Sequence, residues 1–113
     1  MHEYSIVASL VDRVAREANV HPGAVVRRLE VKIGELAGVE IELLRTAFET
    51  FTARTPCDGA ELAIAPVAAE WRCDTCGRAL PVGAVLRCCD RPARLAAGDE
   101  IVLERIELEV PNV

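Results

Sequence analysis

Two groups of residues in this 113-residue chain have the types and spacing of metal ligands. The first is the amino-terminal sequence Met1-His2-Glu3. A free α-amine, backbone amide nitrogens and the His2 imidazole can form fused chelate rings on one ion, and Glu3 can add a carboxylate oxygen. Amide nitrogens join when the metal displaces their protons, as Ni(II) and Cu(II) do in the planar, nitrogen-rich geometry that they favour. Taken alone, these residues are more typical of a disordered terminus than of a metal site, since many proteins begin Met-His by chance.

The second group is a set of cysteines late in the chain. Cys73 and Cys76 form a CxxCG knuckle, in which both thiolates can turn toward one ion and the glycine permits the tight turn. Cys88 and Cys89 follow after eleven intervening residues. Two knuckles across a hairpin are the layout of a zinc ribbon. The second knuckle is incomplete, because Arg91 stands where the fourth cysteine of a CxxC pair would be.

Three interpretations of this insert are open. The first is a distorted tetrahedral zinc site on Cys73, Cys76, Cys88 and Cys89, which needs a turn at 88–89 because neighbouring residues in a strand point opposite ways. The second is a three-thiolate site completed by water or by an oxygen such as that of Asp90. The third has no metal, and Cys73 and Cys76 are a redox pair or plain thiols. If the site lacks a good fourth ligand, Arg91→Cys should tighten zinc binding.

Two other candidate ligands have simpler explanations. His21 precedes Pro22 and is expected to be an exposed turn residue. Cys57 follows Pro56 well before the insert, and we expect it to be a small buried residue.

Composition excludes several classes of function. The chain has 13 basic and 18 acidic residues and a net charge of −5, which argues against nucleic-acid binding. It has no apolar run of about 18 residues, so no membrane span is expected. The amino-terminal segment does not have the pattern of a secretory signal, and a cytoplasmic protein with thiols or metal-bound cysteines is expected. We find no nucleophile and base pair and no phosphate-binding glycine loop, so an enzyme is not expected.

The hydrophobic pattern predicts the elements that position these residues. Apolar residues at helical spacing predict one helix over residues 4–18 and a second from 41 to about 54. Leu29, Val31 and Ile33 alternate with charged residues and predict a strand with one wet face. With aromatic residues at only 4% of the chain, the core must be aliphatic.

Two long strand-like segments flank the cysteine insert, and each changes its apolar face once, near Pro66 in the first and near Glu104 in the second. Antiparallel pairing with partner numbers summing to about 170 would bring Leu62 near Leu108. The prediction is an α+β fold: a small mixed or antiparallel sheet with two helices, and a zinc-ribbon-like module on a long two-stranded stalk. Residues 1–68 and 100–113 would form the nickel-binding domain, and residues 69–99 the inserted module.

The sequence resembles the HypA/HybF family of nickel-insertion accessory proteins for [NiFe]-hydrogenase. The resemblance covers nearly the whole chain and is carried, in order, by MHEYS at 1–5, IGELAG at 33–38, AFETF at 47–51 and CDTCG at 73–77. It implies a metallochaperone with Ni(II) at the amino terminus and structural Zn(II) in the insert. It also implies work alongside a HypB-type GTPase that helps to load nickel into the hydrogenase large subunit.

By residue, the resemblance assigns His2 and Glu3 to nickel, together with the terminal amine of Met1. It assigns zinc to Cys73, Cys76 and Cys88, with Cys89 as an extra thiol beside the third position. Glu40 is a further candidate carboxylate for nickel, although a carboxylate is also favourable at a helix N-terminus for its own sake. Two other classes remain: a zinc-ribbon interaction adaptor without nickel, and a thiol redox protein.

Overall fold

The computed structural model describes residues 3–81 and 83–111, and within them the chain forms two helices and several short sheets. The elements in chain order are α1 (Glu3–Asn19), β1 (Val25–Gly34), α2 (Ile41–Phe51), β2 (Glu61–Val67), β3 (Glu70–Arg72), β4 (Ala79–Leu80), β5 (Arg87–Cys88), β6 (Arg91–Pro92), β7 (Arg94–Ala97) and β8 (Ile101–Glu109). The predicted α+β class is confirmed.

The core is aliphatic and lies between the two helices and one face of the first sheet. α1 buries Val7, Leu10 and Val14, which recur at helical spacing, and α2 buries Leu44 and Phe48. They pack with the inward residues of β1 in one cluster of buried side chains. No helix in the described part of the chain is long and apolar enough to cross a bilayer.

The core sheet has the strand order β2-β1-β8, with β1 parallel to β2 and antiparallel to β8. The direct pairing predicted between the two segments that flank the insert is therefore wrong in the core. Leu29 lies between them, opposite Leu62 on one side and Ile106 on the other. The physical reason is burial, because β1 has the most completely buried inward face and so takes the central position. α2 supplies the crossover that a parallel β1–β2 pair requires.

Only one of the two predicted strand irregularities occurs. On β8, Glu30 pairs with Arg105 and Val31 with Leu103, so Glu104 is an extra residue at the predicted position. On β2, the pairing with β1 is continuous through Pro66 as far as Val67. Proline is tolerated there because β2 is an edge strand.

The cysteine-bearing segment extends beyond the core. There β3 forms an antiparallel pair, but with β7 instead of the predicted segment that begins at Ile101, and it pairs with β4 on its other edge. β5 and β6 form a separate two-stranded hairpin. The described chain measures 60 × 30 × 17 Å with a radius of gyration of 18.0 Å, whereas a compact domain of this length would have about 13 Å.

Backbone segments cross closely where this extension leaves the core. The Leu36 N–H donates to the Gly98 carbonyl at 2.7 Å, and the Ala69 N–H donates to the Glu35 carboxylate at 2.8 Å. A Cβ on Gly98 would lie 2.5 Å from the Ala69 Cα atom, and one on Gly34 would lie 2.2 Å from the Gly98 carbonyl group. Only glycine fits at these two positions.

Candidate metal sites

The four predicted zinc-binding cysteines are brought together in the extension. The Sγ atoms of Cys73, Cys76, Cys88 and Cys89 all lie within 4.8 Å of one another. The Cys76–Cys88 and Cys88–Cys89 sulfur pairs are each 3.9 Å apart. Zn–S bonds of about 2.3 Å in a tetrahedron separate neighbouring sulfurs by about 3.8 Å. The cluster therefore has the dimensions of a four-thiolate zinc site.

The first knuckle gives Cys73 an environment that favours its thiolate. The Cys73 sulfur accepts the backbone N–H of Cys76 at 3.5 Å and that of Thr75 at 3.4 Å, and its side chain is almost fully buried. The Cys76 N–H, assisted by that of Thr75, lowers the pKa of Cys73 to about 6 against the opposing effect of burial. Gly77 closes the knuckle at φ 75°, and its N–H donates to the Cys73 carbonyl.

The second pair reaches the cluster through a turn at Cys89 and Asp90, next to the position at which the sequence required one. Cys89 and Asp90 have φ of 51° and 58°, and they join β5 to β6 in a hairpin whose last pair is Cys88 with Arg91. Two consecutive residues of positive φ in a two-residue loop are typical of a type I′ turn. The turn breaks the strand alternation between Cys88 and Cys89, so both thiols lie at the cluster. Arg91 is exposed.

This geometry favours the four-thiolate interpretation over the other two. The candidate metal-binding group found within the described residues contains these four cysteines and not Asp90. Interaction with the Cys73 thiolate raises the pKa of Cys88 and raises that of Cys89 to about 12. A bound dication would offset the repulsion among several thiolates and would release protons from these thiols.

Of the predicted nickel ligands, Met1 and His2 lie outside the described residues, and Glu3 is the first residue of α1. The Glu3 side chain is only 5% exposed, and its Oε2 atom accepts the backbone N–H of Glu40 at 3.1 Å. The pKa of Glu3 is lowered to about 2, because the charged amino terminus and the Glu40 N–H both stabilise the carboxylate. Glu3 is thus ionised and anchored directly beside His2 in the sequence.

Glu40 is the N-cap residue of α2, and its own side chain makes no capping hydrogen bond. Its side chain is exposed, while its main chain holds Glu3. A carboxylate supplied by α1 therefore sits at the positive end of α2, which favours negative charge. The sequence contained a signal for this arrangement, since Glu3 precedes Val7, Leu10 and Val14 at the spacing of the buried face of α1.

The two secondary candidates lie where the sequence predicted. Cys57 is fully buried, and burial raises its pKa to about 11. His21 is exposed in the turn after α1, and it lines a groove with Arg13 and Glu17.

Comparison with known proteins gives a consistent result over the whole chain. A family model described as hydrogenase/urease nickel incorporation, metallochaperone, hypA matches residues 1–108. The hydrogenase maturation factors HypA of Chlorobium phaeobacteroides and Shewanella halifaxensis are 33% and 38% identical to it over 113 residues. The alignments cover 96% of this chain and 100% and 98% of those proteins, respectively.

The fold has a solved counterpart. The solution structure of the Ni metallochaperone HypA from Helicobacter pylori superposes with a TM-score of 0.73 at 28% identity, covering 98% of this chain and 100% of that one. The likeness includes the described core and the cysteine-bearing extension.

Proposed function

The chain belongs to the HypA family of nickel metallochaperones for hydrogenase maturation, and we propose that it holds Ni(II) through the Met1 amine, His2 and Glu3. The observation that carries the ligand assignment is the buried, ionised carboxylate of Glu3 next to His2. A fixed carboxylate gives the ion an anchored oxygen, and the preceding residues supply the nitrogen donors that suit Ni(II). The zinc-ribbon adaptor without nickel is not favoured by the family assignment.

The ligand chemistry suits a carrier whose cargo is nickel. Nitrogen and oxygen donors at a chain end can be replaced one at a time by those of a recipient, whereas a closed cage would hold the ion. The cysteine cluster offers a softer donor set, which favours zinc over Ni(II) and so separates the two metals. We assign structural zinc to Cys73, Cys76, Cys88 and Cys89.

The remaining features of the proposed role rest on the family. We assign the chain to delivery rather than catalysis, to the cytoplasm, and to partnership with a HypB-type GTPase and the hydrogenase large subunit. We divide it into a nickel-binding unit of residues 1–68 and 100–113 and an inserted cysteine module of residues 69–99. Work with other maturation proteins is implied by the hydrogenase maturation role itself.

The test is calorimetric titration of Ni(II) into zinc-loaded protein that begins at Met1. We expect about one strong site per chain, abolished in His2→Ala. A matched protein carrying two extra residues before Met1 loses the terminal amine but keeps both side chains, so we expect its nickel affinity to fall by at least tenfold. Unchanged affinity in both variants would place nickel elsewhere. Zinc content serves as the control, because neither change touches the cysteines.

A further inference from the structure

The first two residues of α1 contact opposite ends of α2. Glu3 accepts the backbone N–H of Glu40, the N-cap residue of α2, at 3.1 Å. Tyr4 forms an edge-to-face pair with Phe51, the last residue of α2, with ring centroids 6.1 Å apart and ring planes at 67°. At a rise of 1.5 Å per residue, the two contacts lie about 16 Å apart along α2. The first turn of α1 is therefore attached to α2 at two separate places.

Two attachments fix the orientation of this turn, whereas one would not. A single hydrogen bond from Glu40 would let α1 pivot about that bond. The contact between Tyr4 and Phe51, at the far end of the same helix, prevents the pivot. Because Glu3 and Tyr4 follow directly after His2 in the sequence, the orientation of this turn determines where the Glu3 carboxylate stands relative to the proposed nitrogen donors.

The end of α2 that bears Phe51 is itself firmly held. The next residue, Thr52, is buried, and its hydroxyl donates to the Phe48 carbonyl at 2.5 Å. The Thr52 N–H donates to the same carbonyl at 3.1 Å. Phe48 belongs to the buried core. The backbone on both sides of Phe51 is thus tied to the core, and the Phe51 ring is a fixed partner for Tyr4.

Core packing does not account for this aromatic pair. Tyr4 is 55% exposed and Phe51 is 45% exposed. Neither belongs to the cluster of buried side chains or to the apolar residues packed against that cluster. An edge-to-face pair adds an attraction that depends on ring geometry as well as on burial. The contribution of this pair is therefore expected at the start of α1 more than in the stability of the whole fold.

We propose that Tyr4 and Phe51 are positioning residues for nickel, and that their pair holds the Glu3 carboxylate in place for the ion. This inference rests on the proposed nickel ligands. Phe51 has no side-chain donor atom, so it acts on the ion only through Tyr4 and the first turn of α1. A ligand that is already held in its binding position loses less conformational freedom when the ion binds, which raises affinity.

The test compares two substitutions of Phe51 in zinc-loaded protein that begins at Met1. Phe51→Leu removes the ring and keeps an apolar side chain, whereas Phe51→Tyr keeps the ring. Hydrogen exchange of the Glu40 amide, followed by NMR before nickel is added, reports how firmly Glu3 is held. Calorimetric titration then measures nickel affinity. We expect Phe51→Leu to accelerate this exchange at least about threefold and to weaken nickel binding about three- to tenfold. Phe51→Tyr should behave like the unmodified chain in both measurements.

A double-mutant cycle tests whether the two rings act as one unit. Tyr4→Leu should reproduce both effects of Phe51→Leu, and the double variant should be no worse than either single variant, because the pair can be lost only once. Val25→Ala is the control, since Val25 is also 45% exposed but lies on β1. It should change neither measurement, and thermal melting should show that every variant folds.

Three results would overturn the positioning role. They are unchanged nickel affinity in Phe51→Leu, weaker nickel binding without faster exchange at Glu40, and additive losses in the double variant. Nickel affinity that is unchanged in His2→Ala would overturn the ligand assignment, and the positioning role with it. Exchange at Glu40 distinguishes that failure from the others, because it is measured without nickel and depends only on how Glu3 is held.

Discussion

The Oε2 atom of Glu3 lies 3.1 Å from the backbone nitrogen of Glu40, so the first residue of α1 caps the first turn of α2. One carboxylate thus links the two helices at the end of the chain proposed to receive nickel. A structural anchor and a proposed metal ligand are the same group. Substitutions at Glu3 and at His2 should consequently differ in their effects.

Glu3→Ala should lower both thermal stability and nickel affinity, whereas His2→Ala should lower nickel affinity alone. Alanine leaves the Glu40 N–H without its buried acceptor, and an unsatisfied buried donor is destabilising. We expect a melting temperature lower by a few degrees. Differential scanning calorimetry of metal-free protein measures it. Glu3→Gln, which keeps an acceptor oxygen but loses the charge, should recover stability better than affinity. Equal melting temperatures for Glu3→Ala and the unmodified chain would contradict the anchoring role.

The free energy of unfolding should depend on pH because the Glu3 carboxylate titrates differently in the folded and unfolded chain. The pKa of Glu3 is lowered to about 2 in the folded chain, so the folded state favours the ionised form. The stabilisation is fully present above the unfolded pKa, near 4.3, and is lost as the pH falls toward 2. Urea unfolding of metal-free protein should show a stability difference between the unmodified chain and Glu3→Gln that shrinks over that interval. A difference that stays constant from neutral pH to about pH 2.5 would refute the assignment.

Zinc binding near neutral pH should release at least about two protons per ion, because Cys88 and Cys89 are thiols until the metal arrives. Cys73, whose pKa is lowered to about 6, contributes little to this release. Calorimetric titration in buffers of different ionisation enthalpy counts the protons. In Cys89→Ser the count should fall by about one. An unchanged count in that variant would indicate that Cys89 does not bind the metal.

Gly98, which lies where the cysteine-bearing extension leaves the core, should be among the residues that tolerate substitution least. In Gly98→Ala the new Cβ meets the Ala69 backbone at 2.5 Å, and φ is 102°. Gly59→Ala is a matched control, since it also has positive φ but open space around it. We expect about 1 kcal/mol of destabilisation for the control from backbone strain alone, and at least about 3 kcal/mol at Gly98. Denaturant unfolding measures both, and equal losses would show that the close crossing is not rigid.

The sequence predicted the elements better than their pairing. Apolar spacing specified α1, α2 and β1, because each buries one face against the same core. Alternation of faces says which side of a strand is buried but not which strand lies beside it. Leu62 and Leu108 therefore looked like direct partners, although β1 lies between their strands. The bulge at Glu104 was predictable, since it changes the face of β8 within the sequence itself.

For the candidate zinc ligands, too, the sequence predicted the residues better than their conformation. Cysteine spacing identified all four thiols and required a turn at 88–89, but it did not predict the type of that turn. Positive φ is uncommon for a cysteine, although aspartate adopts it more often, so the identity of Cys89 did not predict a type I′ turn. The missing cysteine at Arg91 therefore suggested an incomplete site, whereas four sulfur atoms lie within 4.8 Å of one another.

The last prediction concerns how that turn replaces the missing cysteine. If Cys89 already completes the tetrahedron, Arg91→Cys alone should change zinc affinity little, in contrast to the tightening expected from the sequence. Cys89→Ser should weaken zinc binding by at least tenfold, because one of four thiolates is lost. The double variant Cys89→Ser with Arg91→Cys should recover much of that loss, since it restores a CxxC knuckle beginning at Cys88.

Competition with a chromophoric chelator measures the four affinities under reducing conditions. Cys57→Ser is the control, because Cys57 is buried in the core and lies outside the cluster. It should leave zinc affinity unchanged even if it lowers stability. Tighter binding in Arg91→Cys, together with normal binding in Cys89→Ser, would mean that Cys89 is a bystander and that the native site has only three thiolate ligands.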